Sequence, residues 1–234
     1  MVWGINKVQN KIDNWQHMFK LDPAKEINDE DLERVCKSGT DAIVVGGTDN
    51  VTLDGVLDLL YRIRPYALPC MLEISTMDAI TPGFDAYLIP TVFNSQDKKW
   101  FVDVQHAALK EYGSFIDWDE VFVEGYCILN EQSKVYQKTN SKLPSNEDVL
   151  SYAMMAEHFF KLPIFYVEYS GRYGDVALVE QVKSQLDKTK LFYGGGIETL
   201  AQAIEMKQFA DVIVVGNVIY SNIEAALETV KAVK

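Results

Sequence analysis

The chain has 234 residues, of which 48% are hydrophobic and 24% are charged, so it can bury one large core. Its formal net charge of −12 argues against a nucleic-acid partner, because affinity for nucleic acid comes largely from Lys and Arg side chains that neutralise phosphates. No apolar run approaches the ~20 residues that cross a bilayer, and the N-terminus has no signal-peptide core. We expect one cytoplasmic domain over residues 1–234, with residues 1–14 as an extension that is helical or poorly ordered.

Short apolar runs rich in Val, Ile, Phe and Tyr alternate along the chain with longer amphipathic segments. The apolar runs predict eight strands, at residues 17–23, 41–48, 69–75, 85–93, 121–129, 163–171, 190–196 and 211–220. The amphipathic segments predict seven helices, at residues 28–39, 53–66, 100–113, 145–161, 175–187, 199–210 and 222–233. The strands are continuously apolar, which is typical of parallel strands buried on both faces.

The alternation of eight strands with helices predicts a single (β/α)8 TIM barrel, an α/β fold in which parallel strands close into a ring. A doubly wound open sheet is the alternative. Between the third and fourth strands, residues 76–84 are too few for a full helix and are interrupted by Pro82 and Gly83. The third helix is therefore predicted to be replaced by a loop, which would open a groove in the outer wall of the barrel.

The cysteines and histidines show no metal-binding or catalytic spacing. Cys36, Cys70 and Cys127 lie far apart inside apolar runs, so we expect buried free thiols. His106 and His158 are expected on helix surfaces. The sequence has no zinc signature, no P-loop and no nucleophile elbow. Candidate residues are therefore expected at the strand ends, where barrel enzymes place their chemistry.

Glycine-rich turns follow three neighbouring strands. The sixth strand ends in YVEYSG (166–171), the seventh in YGGGI (193–197) and the eighth in VVGN (214–217). Consecutive glycines leave backbone N–H groups uncovered, and a helix that starts just after them adds a positive dipole end, so such turns bind anions. One such turn alone is more often only a tight turn, but three at adjacent strand ends predict a phosphate site. Of the three glycines that follow the seventh strand, we expect Gly196 to contact the ligand.

Charged residues lie at the end of the first strand, on the opposite wall. Lys20 and Asp22 are two residues apart, so their side chains face the same side. Lys20 can reach a phosphate as a point charge, whereas Asp22 and Thr48 offer the oxygen ligands that Mg²⁺ prefers. An ion pair between Lys20 and Asp22 inside the barrel is the alternative. The third and fifth strands also carry carboxylates, Glu73 and Glu124.

Glu168 lies within the apolar run IFYVEYSG, so its carboxylate is expected to be buried. A buried carboxylate requires either a partner or a chemical role. Beside a bound phosphate ester that carries a hydroxyl group, Glu168 could act as the general base. The alternative is a salt bridge to a lysine such as Lys20.

The predicted strand ends carry, in order, FKLDP (19–23), GGTD (46–49), YVEYSGRYGD (166–175), YGGGI (193–197) and VVGN (214–217). In these motifs the chain resembles the geranylgeranylglyceryl/heptaprenylglyceryl phosphate synthase family, above all its bacterial, PcrB-type branch, from about Trp15 to the end. The resemblance implies a barrel prenyltransferase in which a loop replaces the third helix. Such enzymes join the C3 hydroxyl of sn-glycerol 1-phosphate to a polyprenyl diphosphate as an ether and release diphosphate. The bacterial branch implies a heptaprenyl chain.

The resemblance also implies roles for individual residues. Those that would bind glycerol phosphate are Lys20, Tyr166, Val167, Glu168, Tyr169, Ser170, Gly171, Gly196, Gly216 and Asn217, the last three around its phosphate. Asp22 and Thr48 would hold Mg²⁺ on the prenyl diphosphate, and Glu168 would take the proton of the attacking hydroxyl. We expect a homodimer, the commonest assembly, and transient contact with a membrane that supplies the prenyl substrate.

A long isoprenoid needs an apolar trough, and we expect it at the open wall of residues 76–84, beside Tyr87, Phe93, Trp100 and Phe101. The alternative is that these aromatic side chains only pack a helix on a strand. Two other functions stay open from the residues alone. One is another phosphate-binding barrel enzyme, an isomerase or lyase, and the other is a non-catalytic phosphate- or lipid-binding protein.

Overall fold

A computed structural model describes residues 12–234. Eight parallel strands close into a barrel in sequential order. They are β1 His17–Leu21, β2 Ala42–Val45, β3 Cys70–Glu73, β4 Ala86–Val92, β5 Val121–Ile128, β6 Ile164–Glu168, β7 Lys190–Gly194 and β8 Val212–Val215. Closure is made by β1 and β8, where Phe19 pairs with Val215. The predicted TIM barrel is confirmed and the open sheet is wrong; residues 1–11, most of the predicted extension, lie outside the described residues.

Helices surround the barrel. They are α1 Asp29–Lys37, α2 Leu53–Ile63, α3 Asp103–Tyr112, α4 Lys134–Lys138, α5 Asn146–Met154, α6 Val176–Lys183, α7 Leu200–Lys207, α8 Val218–Ser221 and α9 Ile223–Thr229. Side-chain caps fix several starts: Asn28 accepts a hydrogen bond at the start of α1, and Ser145 and Asp148 form a capping box at α5. Among the described residues, no helix is long and apolar enough to cross a membrane.

The wall between β3 and β4 is open, as predicted. Only a single 3₁₀ turn, Met77–Ala79, lies between these strands. The next helix, α3, also packs loosely, because none of its residues is buried. A gap in the helical layer therefore connects the barrel mouth to the side of the molecule.

Side chains alternate between two buried layers, because successive residues of a strand point to opposite faces. Met18, Phe122 and Phe192 fill the inside of the barrel. Phe19 and Phe165 pack between the strands and the helices. Burial on both faces is the reason that the strands are continuously apolar in sequence.

The structure differs from the prediction in three segments. The predicted strand 211–220 ends at Val215, because Gly216 and Asn217 break it and α8 follows. Residues 130–144, for which no strand or helix was predicted, contain α4, which begins where Ser133 accepts a hydrogen bond from the N–H of Tyr136. The predicted helix 145–161 ends in a π-helical turn, Met155–Phe160. The free, buried state predicted for the cysteines is confirmed.

Candidate active site

A cavity of about 650 Å³ lies at the carboxyl ends of the strands. It brings together most of the predicted site residues: Lys20, Asp22, Thr48, Tyr166, Glu168, Ser170, Gly171, Gly196, Gly216 and Asn217. The side chains of Val167 and Tyr169 instead belong to the core between the barrel and the helices. Any contact of these two residues with a ligand would therefore run through the backbone.

The turns after β6 and β7 pack tightly on each other. Gly195 and Gly196 have φ angles of +144° and +56°. A Cβ atom at Gly195 would lie 2.5 Å from the Cβ of Tyr169, and one at Gly196 would overlap the backbone of Arg172 and Tyr173. Packing within the protein thus already requires glycine here, which agrees with the tight turn that the sequence offered as the alternative to an anion site. A phosphate contact at Gly196 stays a prediction about its N–H group.

Gly216 is in a different environment. A Cβ atom there would lie 3.4 Å from the Lys20 carbonyl oxygen and 3.8 Å from its Cβ, which are ordinary contact distances. Asn217, the next residue, is 3.5 Å from the position of a Cβ on Gly171. The ends of β6 and β8 therefore meet here. We call Ser170, Gly171, Gly194–Gly196, Gly216 and Asn217 the glycine wall.

A lysine without a carboxylate partner lies beside the glycine wall. The Nζ of Lys25 donates to Oδ1 of Asn217 at 2.8 Å and lies 4.8 Å from the centroid of the Tyr220 ring. Among the described residues, no carboxylate forms a salt bridge with Lys25. In a chain with a net charge of −12, an unpaired ammonium group at a cavity mouth is suited to an anionic ligand.

Lys20 pairs with Glu73, which the sequence did not predict. Its Nζ donates to the two carboxylate oxygens of Glu73 at 2.7 and 2.8 Å. The expected alternatives, ion pairs of Lys20 with Asp22 or with Glu168, are not formed among the described residues. Burial lowers the pKa of Lys20, but Glu73, Glu168 and Glu124 more than offset this effect, so its pKa is raised and the side chain stays charged.

Glu168 is buried, as predicted, with 7% of its surface exposed. The hydroxyl of Tyr126 donates to its Oε2 at 2.8 Å, and the N–H of Ser170 donates to its Oε1. Burial raises the pKa of Glu168 and dominates the lowering by Lys20, by Tyr126 and by the Ser170 N–H. A carboxylate with a raised pKa is a stronger base than an ordinary glutamate.

Glu124 lies deeper in the barrel and is fully buried. Neither of its oxygens has a hydrogen-bond partner among the described residues. Burial, reinforced by Glu73 and Glu168 and opposed by Lys20, raises its pKa well above the ordinary range, which favours the protonated, neutral form. The sequence carried the same signal for Glu124 as for Glu168, a carboxylate within an apolar strand.

Asp22 and Thr48 lie on neighbouring strand ends. A Cβ on Gly47 would overlap the Asp22 carboxylate, so this carboxylate packs against the loop that carries Thr48. No cluster of three or more His, Cys, Asp or Glu side chains suited to a metal occurs in the part of the chain that the structure describes. Mg²⁺ commonly takes one or two protein ligands and completes its shell with water and substrate phosphate oxygens, so the pair fits a site shared with a diphosphate.

An apolar groove extends the cavity through the open wall. It is lined by Ile74, Met77, Ile80, Ile89, Val92, Trp100, Val104 and Ala108. Of the predicted trough residues, Trp100 lines it. The prediction is wrong for the other three: Phe93 and Phe101 pack against each other in the outer core with ring centroids 5.7 Å apart, and the Tyr87 hydroxyl donates to the Thr81 carbonyl.

The histidines lie away from this chemistry. His106 and His158 are exposed on the surface, as predicted. His17 is fully buried, and its ring nitrogens lie 2.9 Å from the hydroxyls of Thr40 and Thr229.

Comparisons with known proteins agree with the fold and with the family that the sequence resembles. A model of the PcrB family matches residues 10–234. The heptaprenylglyceryl phosphate synthase of Anoxybacillus flavithermus is 60% identical over 226 residues, which cover 96% of this chain and 98% of the relative. The enzyme of the same name from Lysinibacillus sphaericus is 61% identical over 221 residues, covering 94% of this chain and 96% of the relative.

Solved structures share the barrel. The (S)-3-O-geranylgeranylglyceryl phosphate synthase of Thermoplasma acidophilum, crystallised with sn-glycerol-1-phosphate, superposes with a TM-score of 0.85 at 24% identity over 97% of this chain and 96% of that chain. The tryptophan synthase alpha chain of Legionella pneumophila gives 0.56 at 14% identity over 98% of each chain. At these identities the likeness concerns the fold. From the family model and the 60%-identical relatives, the chain belongs to the PcrB family.

Proposed function

We propose that the protein transfers a polyprenyl group, namely heptaprenyl, from its diphosphate to the C3 hydroxyl of sn-glycerol 1-phosphate. The product is an ether, a precursor of archaea-type glycerol lipids, and diphosphate is released. The names of relatives at 60% identity support this function. The observation that carries it is that one cavity joins the glycine wall, the buried carboxylate Glu168 and an apolar groove.

The glycine wall would hold the monophosphate of glycerol phosphate. Backbone N–H groups of Gly196, Gly216 and Asn217 supply donors, and uncovered N–H groups in such turns bind phosphate well. Lys25 adds a positive charge beside Asn217. Lys20, which Glu73 holds in place, faces the same cavity and would contact the glycerol moiety.

Glu168 would accept the proton of the C3 hydroxyl as that oxygen attacks C1 of the prenyl group. The new C–O bond forms while the bond from C1 to the diphosphate oxygen breaks, and the electron pair leaves with diphosphate. Asp22 and Thr48 would hold Mg²⁺, which neutralises the charge of the leaving diphosphate. The rings of Tyr126 and Tyr166, both of which line the cavity, can stabilise positive charge that develops on the allylic carbon.

The groove would hold the isoprenoid and keep water from the reacting carbon. Its lining by Ile74, Ile80, Val104 and Trp100 is apolar and reaches the side of the molecule through the gap beside α3. A long chain can therefore extend out of the barrel without being folded back. Exclusion of water prevents hydrolysis of the activated prenyl group.

The direct test is to incubate the protein with radiolabelled glycerol 1-phosphate and prenyl diphosphates of different lengths, with Mg²⁺ or with a chelator. We expect a labelled lipid that extracts into organic solvent, most with the heptaprenyl substrate, and none with the chelator. The absence of labelled lipid with every prenyl diphosphate would refute the function and favour a phosphate-binding isomerase, lyase or non-catalytic binder. Full turnover with chelator would refute only the Mg²⁺ requirement.

We further propose that the protein is a cytoplasmic homodimer that contacts a membrane transiently. Apolar surface suited to such contacts is present, since Phe115, Trp118 and Phe159 are 85%, 61% and 80% exposed. Light scattering of the purified protein should give twice the chain mass. Sedimentation with vesicles should carry down a minor fraction of the protein. A monomer in light scattering would refute the dimer, and complete absence of the protein from sedimented vesicles would refute the membrane contact.

A further inference from the structure

We propose that Tyr126 is a positioning residue that holds the carboxylate of Glu168 in the orientation in which it accepts the substrate's proton. This role rests on the proposed function of Glu168 as the base. It adds a residue of β5 to a site whose predicted members lie on the first, second, sixth, seventh and eighth strands.

The geometry places one hydrogen bond on each oxygen of Glu168. The Tyr126 hydroxyl donates to Oε2 at 2.8 Å from the neighbouring strand. The N–H of Ser170, a residue with a φ angle of +37°, donates to Oε1 from the turn that follows β6. A carboxylate held at both oxygens cannot rotate, so its remaining lone pairs keep one direction relative to the cavity.

Tyr126 is itself held rigidly. Its side chain is 3% exposed, and its ring stacks on that of Tyr166 with centroids 4.7 Å apart and an interplanar angle of 21°. The two residues are direct partners in the β5–β6 ladder. Behind Tyr166, a Cβ on Gly194 would overlap the phenol, so the ring of Tyr166 is backed directly by the main chain at the end of β7. The position of the Tyr126 hydroxyl is therefore set by the barrel register.

Charged and buried groups around Glu168 make its pKa sensitive to the hydrogen bond from Tyr126. The titratable groups that share the barrel interior with Glu168 are Lys20 from β1, Glu73 from β3, Glu124 and Tyr126 from β5 and Tyr166 from β6. Tyr193 from β7 interacts with Glu168 electrostatically from the outer core. Burial, followed by the charge of Glu168, raises the pKa of Tyr126 well above its ordinary value, so the phenol donates at every working pH. Burial raises the pKa of Glu168 and the bond from Tyr126 opposes that rise, so removing the hydroxyl must raise it further.

The test is Tyr126→Phe, which keeps the ring stack and removes only the hydroxyl. We expect the acidic limb of the kcat/KM–pH profile to move up by about one to two pH units, the size of a hydrogen bond to a charged group. The KM for glycerol phosphate on the alkaline plateau should stay within about twofold of the wild-type value, because a positioning residue acts on the base and not on ground-state binding.

The matched control is Tyr173→Phe. Its hydroxyl has two acceptors within reach, the Gln202 carbonyl at 3.1 Å and the Glu205 carboxylate at 2.9 Å, both away from the cavity. Loss of this hydroxyl should therefore leave the pH profile unchanged. An equal shift in both variants would mean a general structural effect and would overturn the role of Tyr126.

Glu168→Gln separates this inference from the proposed function. If that variant is inactive and Tyr126→Phe leaves the acidic limb in place, the role of Tyr126 is wrong and the base assignment stands. If Glu168→Gln is fully active, Glu168 is not the general base, and the positioning role of Tyr126 is refuted as well. An inactive Glu168→Gln together with a shifted limb in Tyr126→Phe alone supports both.

Discussion

Replacing Gly216 by Ala tests most directly where the phosphate binds. Gly216 lines the cavity and follows β8. The added methyl group would lie 3.4 and 3.8 Å from the nearest atoms, both in Lys20, so the protein itself has room for it. Gly216 is also not among the described glycines that adopt positive φ, so alanine should bring no backbone strain. Its free energy of unfolding should change by less than about 0.5 kcal/mol.

The effect on a bound phosphate should be much larger. We expect a phosphate bound at the N–H groups of Gly216 and Asn217 to lie against the Cα of Gly216, so that the new methyl group would displace it from one of these donors. Losing one hydrogen bond to a charged group costs about 1.5–3 kcal/mol. The KM for glycerol phosphate should therefore rise by about 10- to 100-fold.

Gly196→Ala provides the contrast. Its methyl group would overlap the backbone of Arg172 and Tyr173, and its φ angle of +56° disfavours alanine. We expect a loss of stability of about 2–4 kcal/mol from backbone strain and overpacking, so lost activity in this variant would not identify a ligand contact. Gly216 separates ligand binding from folding, whereas Gly196 cannot.

The assay combines the steady-state KM for glycerol phosphate, its binding by calorimetry, and thermal unfolding of the same preparations. An increased KM with wild-type stability would place the phosphate at Gly216. A wild-type KM and wild-type calorimetric affinity in a stable Gly216→Ala protein would refute the placement.

Four further predictions follow from particular side chains. Lys25→Gln should raise the KM for glycerol phosphate about tenfold while kcat is kept, because one charge beside Asn217 is lost; an unchanged KM would remove Lys25 from the site. Val104→Trp should fill the groove and shift the product toward shorter prenyl chains, as measured by competition between prenyl diphosphates. An unaltered preference for chain length would contradict the assignment of the groove to the prenyl chain. Glu124→Gln should keep the unfolding free energy at pH 7 within about 1 kcal/mol and abolish an infrared band of a protonated carboxyl, whereas an intact spectrum would mean that Glu124 is ionised. Burial lowers the pKa of His17 to about 3, so below pH 6.5 the unfolded chain binds more protons than the folded one. The free energy of unfolding should therefore fall by roughly 3–5 kcal/mol toward pH 3. In His17→Gln, urea titrations should show a free energy of unfolding that depends less on pH.

The sequence by itself determined the barrel and the end of the barrel at which the predicted site residues gather. Continuously apolar strands alternate with helices, and this local pattern follows from burial on both strand faces, so it can be read without knowing any contact. Residues 76–84 are too few for a full helix, and this shortness likewise predicted the open wall. Because a parallel barrel collects all carboxyl strand ends at one mouth, motifs far apart in the chain, such as those at Asp22 and Gly216, could be assigned to one cavity.

Only the tertiary structure decided which side chains pair inside that cavity. Lys20 forms its ion pair with Glu73 and not with Asp22. The Tyr126 hydroxyl donates to Glu168 on the neighbouring strand. Three of the four aromatic side chains predicted for the trough pack in the outer core. The physical reason is register. Whether two side chains 42 or 53 residues apart come within 3 Å depends on the stagger of neighbouring strands and on packing behind them, and no local pattern encodes either.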